Sequence, residues 1–190
     1  MADRSNELTP SRPRSGLLRR FARAQDGAAA VEFAFVAIPF LVLIFAIIEL
    51  GLAFLLSMTL ENALMNVDRS IRTGQLQTTG GTAATFRTAV CKQMVWLGSS
   101  CESSIVLDVR TMPTFADTNT LPAPKANNPC WDPGGPSSIV LVRGYYKWPL
   151  ITPLLQSAVG GKAGDRQIYF AAVFANEPYS DTPAQSVTCP

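Results

Sequence analysis

The chain has 190 residues, with 16 lysines and arginines against 14 acids, a formal charge of +2 and no histidine. Arg4, Arg12, Arg14, Arg19, Arg20 and Arg23, set against Asp3, Glu7 and Asp26, more than account for the excess, so everything downstream is near neutral. That excludes a nucleic-acid surface, which needs a basic face on the folded part, and the missing histidine removes the usual general base and the usual zinc ligand.

Residues 1–26, rich in Arg, Ser and Pro, read as a flexible basic leader with a short amphipathic piece at 17–24. The run Gln25-Asp26-Gly27-Ala28-Ala29-Ala30-Val31-Glu32-Phe33 then opens a long apolar stretch. Residues 33–48 carry no charge, and after Glu49 the apolar character continues to about residue 60. An uninterrupted helix over residues 28–72 would be on the order of 65–70 Å long. A bilayer's hydrocarbon is only about 30 Å thick, so such a helix crosses lipid and emerges. The arginines put the leader in the cytoplasm and everything after the helix outside. Pro39 predicts a kink and not a break, because transmembrane helices re-satisfy the freed carbonyl. Glu49 marks the outer interface.

The second half of this helix changes character. Leu60, Leu64, Val67 and Ile71 recur at helical spacing, with Glu61, Asn62, Asp68 and Arg69 supplying polar positions. That is the pattern of a helix packing on a globular domain. Thr73-Gly74 ends it, glycine being favoured just past a helix terminus, and Arg69 and Arg72 suit the last turn of a helix dipole.

Residues 75–81 read as a polar loop, and residues 82–97 as a short amphipathic helix with Phe86, Val90 and Met94 on one face. Three strands follow: 105–111, where Ile105, Leu107 and Val109 alternate with Val106, Asp108 and Arg110; 138–148, dense in β-branched and aromatic residues; and 167–174. Between the first two lies a Pro-, Asn- and Thr-rich loop, 112–137, long enough to need a tie, for which Cys130 is available. A helical turn is expected at 153–159, and residues 160–164 lead into the third strand. The fold class is α+β: a long N-terminal helix extending into a small disulfide-bonded domain with a mainly antiparallel sheet of about three strands. The divisions are 1–27, 28–72 and 73–190.

Cys91, Cys101, Cys130 and Cys189 all follow the apolar stretch, as expected of a domain that folds in an oxidising periplasm. Four cysteines allow three connectivities. Cys91 with Cys101, nine residues between them, makes the short connection and leaves Cys130 with Cys189. Zinc is the competing reading, but neither a Cys-x-x-Cys pair nor a histidine is present, so no metal and no cofactor is expected. Arg143, inside a strand, would be costly if buried unpaired. Glu177 is its expected ion-pair partner, with Asp108 the other candidate. No Gly-x-Ser-x-Gly elbow, phosphate-binding glycine loop or paired carboxylates at helical spacing appear in the outer domain, so nothing suggests an enzyme.

Gly27, four small or apolar residues, Glu32 and aromatic Phe33 together resemble the processing site of type IV pilin-like proteins. The Glu-Phe pair is most similar to the pseudopilin branch of the Tad (tight adherence) system. Residues 60–63, 69–75, 140–154 and 174–179 resemble the recurrent blocks of TadE-like pilus assembly proteins. The resemblance implies cleavage after Gly27 by a prepilin peptidase, a membrane aspartic peptidase, which makes Ala28 the mature N-terminus. Its new amine lies one helical turn from Glu32, within reach of its own carboxylate or a neighbour's. In the family the intermolecular pairing sets subunit register; the alternative is that Glu32 snorkels to the headgroups. The implied function is that of a minor pseudopilin in assembly of a Flp-type pilus, at the inner membrane with its domain in the periplasm. Implied partners are the prepilin peptidase, the major Flp pilin, a second TadE- or TadF-like pseudopilin, the inner-membrane Tad platform and membrane lipid. The main rival is an uncleaved, membrane-anchored binding or adhesin module. A secreted protein whose signal peptide ends near residues 51–53 fits less well, because the apolar run outlasts a signal core of about 7–15 residues. A type II secretion pseudopilin lacks these C-terminal blocks.

Overall fold

Helix α1 runs Asp26–Arg72 with Pro39 inside it. It opens the computed structural model, which describes residues 26–120, 129–152, 156–157, 165–180, 187 and 189. The leader with its amphipathic piece, and most of the turn expected at 153–159, lie outside the described residues. The chain divides into two compact units, Met1–Ile44 and Phe45–Pro190. In the first, α1 presents bare apolar side chains such as Phe35, Ile38, Phe40 and Leu41. In the second, the same helix buries Leu56, Leu60, Leu64, Val67 and Ile71 in the domain core. One of the polar positions expected on this half, Asp68, is also buried, because the packed face is wide enough to include it beside Leu64 and Ile71.

The helix ends where glycine is required. Gly74 has φ 75°, and a Cβ there would sit 2.6 Å from the ring of Tyr179. Left-handed backbone and lack of space thus both exclude a side chain. Residues 75–81 are not all loop: Gln75–Thr78 forms a helical turn, α2. Gln77 is drawn inward, its amide donating to the carbonyls of Ile71 and Pro133, each at 3.1 Å. Helix α3, Ala83–Gln93, starts on a reciprocal cap between Thr82 and Thr85. It stops four residues short of expectation, tightening at Met94 into a 3₁₀ turn, Val95–Leu97, which brings Trp96 against Trp148 at 6.1 Å between rings. A disulfide joins Cys91 to Cys101 on α4, Ser100–Ser104.

Strands β1 (Ile105–Met112), β2 (Ile139–Pro149) and β3 (Asp165–Ala175) make an antiparallel sheet in the order β1-β2-β3. The fold is therefore α+β, a long apolar helix followed by a small disulfide-bonded domain with three antiparallel strands. Alternation sorts the strands into two faces. Ile105, Leu107, Val109, Val140, Val142, Tyr146 and Ile168 join the core with α1 and α3, and Gly144 lets α1 approach so closely that a Cβ would lie 2.5 Å from Leu64. The chain after the long loop returns beside β1, where Val109 donates to the Cys130 carbonyl and accepts from Asp132. Cys130 is bonded to Cys189.

Candidate functional site

Gly27, Ala28, Glu32 and Phe33 all stand exposed at the start of α1, Phe33 with 74% of its surface open. Ala28 and Glu32, four residues apart on a helix, share one face. The helix Gly27–Arg72 is long and apolar enough to cross a membrane, consistent with a single-pass membrane protein. About twenty residues suffice to span the hydrocarbon, which leaves the amphipathic half of α1 beyond it.

Three polar constellations hold the outer domain. The first is at the top of α1, where the 69–75 and 174–179 blocks meet: Glu177 donates its amide to the Arg72 carbonyl at 2.8 Å, and Tyr179 covers Gly74. Asn176, 4% exposed, donates its side-chain amide to the carbonyls of Pro133 at 3.0 Å and Gly135 at 2.9 Å. These blocks form a joint between the helix end, the loop before β2 and the exit from β3.

The second constellation corrects the ion pair expected between Arg143 and Glu177. Arg143 meets Asp108 at 2.7 Å, and Arg110 approaches the same carboxylate at 3.0 Å. The reason is register. Asp108 and Arg143 face each other across β1 and β2, on the sheet face turned away from α1, whereas Glu177 sits at the end of α1 and lies 3.8 Å from Arg72. Burial alone would raise the Asp108 pKa. Hydrogen bonds from Arg110, Arg143 and the Cys130 amide, with the Arg143 charge, outweigh it and hold the carboxyl below its ordinary range.

The third is Glu49, which does more than mark an interface. It is 3% exposed, and its carboxylate accepts the backbone N–H groups of Ile151 at 2.5 Å and Thr152 at 2.9 Å. It thereby satisfies two donors just past β2 and ties that corner to the helix. Sequence offered no signal beyond an acid where apolar residues were due.

The bare N-terminal turn and the helix running on into a domain core agree with one further finding. Residues 27–67 match the TadE-like protein family. The matched segment opens at Gly27, takes in Glu32 and Phe33, and supports a TadE-like pilus assembly protein of the Tad system. It ends before the 69–75, 140–154 and 174–179 blocks. No curated protein and no solved structure matches the chain.

Proposed function

We propose that this TadE-like chain is a minor pseudopilin that acts in assembly of a Flp-type pilus after a prepilin peptidase cuts behind Gly27. The observation that carries this reading is the position of the TadE-like match, which begins at that glycine and runs along α1, whose first half is apolar and exposed. Cleavage gives Ala28 an amine that is cationic near neutral pH, and that amine can neutralise Glu32 of the same or an adjacent subunit. Removing the cost of a carboxylate in lipid, otherwise up to about 2.5–3.5 kcal/mol toward the bilayer centre, then favours side-by-side assembly. The role is structural, not enzymatic. The protein sits in the inner membrane with residues 1–27 as cytoplasmic leader, 28–72 as the helix and 73–190 as periplasmic domain. It meets the major Flp pilin, a second TadE- or TadF-like pseudopilin and the inner-membrane platform.

Mass spectrometry of the membrane-purified protein tests this. An N-terminus at Ala28, converted to full-length precursor in Gly27→Leu, is the expected result. A retained leader in cells that carry the peptidase would instead favour the uncleaved anchored module.

A further inference from the structure

A cleft of about 350 Å³ lies between α1 and the start of β3, lined by Leu50, Phe54, Ser57, Arg166, Gln167 and Tyr169 among others. Leu50, Phe54 and Ser57 recur at the spacing of one helix face. Ile168 is buried in the core, so Arg166, two residues before it on the strand, emerges on the same sheet face just beyond that core. It is exposed there. Among the described residues Arg166 makes no ion pair, and none of the residues lining the cleft is acidic. The neighbouring Glu49 is already committed to the amides of Ile151 and Thr152.

The cleft falls where α1 leaves the lipid. The charge-free residues 33–48 end at Glu49, and about twenty residues suffice to span the hydrocarbon. Leu50 and Phe54, both more than half exposed, carry the apolar surface of the helix on to the cleft. The same end of the sheet bears exposed Ile151 and Tyr169, and Trp96 packed on Trp148, which pairs with Arg166 across β2 and β3. Tryptophan and tyrosine collect at membrane surfaces, where one part of the ring is in lipid and the other in water.

We infer that the cleft seats an anionic phospholipid from the leaflet on the domain's side. An acyl chain lies along Leu50 and Phe54, the phosphate meets the Arg166 guanidinium, and Ser57 and Gln167 offer further donors. Two features select that occupant. The unpaired guanidinium faces a cleft without an acid and matches a phosphate with two parallel N–H groups, and the apolar wall is continuous with the membrane-crossing part of α1. A lipid held there keeps this end of the domain at the bilayer surface. This inference rests on α1 crossing the membrane and is independent of processing at Gly27.

The test uses the full chain in nanodiscs holding equal amounts of phosphatidylglycerol and phosphatidylcholine, with the photo-crosslinking amino acid benzoylphenylalanine at position 54. The mass of each adduct names the lipid. Phosphatidylglycerol should be enriched about fivefold over phosphatidylcholine, what one arginine near an anionic lipid surface supplies, and Arg166→Gln should return the ratio to about one. Arg166 is exposed, so the variant should fold. The same label at position 41 should take up both lipids without preference. Lipid adducts at 41 but none at 54, or a ratio at 54 that is even or unmoved by Arg166→Gln, would overturn the cleft alone. No lipid adducts at either position would overturn it together with the membrane-spanning reading. In membranes of piliated cells, protein adducts in place of lipid at position 54 would make this face a protein interface and reject the lipid.

Discussion

The two halves of α1 are one helix under two sets of rules. Before residue 45 the apolar side chains are bare: Phe33, Phe35 and Phe40 are each more than half exposed. Beyond it Leu56, Leu60, Leu64 and Ile71 are fully buried. The composition is similar, but these side chains are exposed in the first half, whereas the second supplies one wall of its own domain. The same contrast separates the carboxylates. Asp108 and Glu49 are held by donors within the domain, while Glu32 stands exposed in the first unit. Loss of a side chain in the outer half should therefore be felt as lost stability, and loss in the inner half as lost assembly.

The largest effect belongs to Asp108. Asp108→Asn strips two arginines of their counter-charge, and breaking one side of a buried pair costs about 3–5 kcal/mol, readable as a lower denaturation midpoint of the outer domain. Its pH dependence has a definite sign. The folded pKa lies below the ordinary 3.8, so the stabilisation is complete above that value and is lost as pH falls through the lower folded one. Asp68 acts the opposite way. Raised from 3.8 to about 7, it contributes stability that is present in acid and declines as pH rises across that interval. Denaturation curves from about pH 2 to 8 should show the acid loss disappear in Asp108→Asn and the loss toward neutrality disappear in Asp68→Asn.

A pair of leucines breaks or sharpens the contrast most simply. Leu60→Ala empties a fully buried site and should cost about 2–5 kcal/mol. Leu41→Ala, at a site 50% exposed, should leave the domain's melting temperature unchanged. Equal losses would mean that the inner half also packs on the domain. Smaller than the Leu60 effect is Glu49→Ala, which leaves the amides of Ile151 and Thr152 without their acceptor and should cost about 1.5–3 kcal/mol. Hydrogen exchange should locate that loss at those two amides.

The strands could be read from sequence because Ile105, Leu107 and Val109 alternate on a face that is in fact buried, and the spacing of Leu60, Leu64, Val67 and Ile71 marked the packed helix face. What could not be read depends on long-range geometry. The partner of Arg143 is decided by register across β1 and β2, which alternation alone does not fix. Glu49 finds its donors 102 and 103 residues away, and Asp68 and Gln77 look like surface residues until the fold closes over them. Gly74 was legible as a helix stop, but its second duty, making room for Tyr179, appears only when the end of α1 meets the segment after β3.

Glu32→Ala gives the smallest expected effect on folding and the most direct test. The variant should be made in piliated cells, reading the outer domain's melting temperature together with crosslinking to the Flp pilin and surface pilus counts. A carboxylate that serves assembly leaves the melting temperature and membrane insertion unchanged and lowers both crosslinking and piliation. Normal crosslinking with normal piliation, or a fall in melting temperature, would contradict the division of labour along α1 and the pilin-like mode of assembly with it.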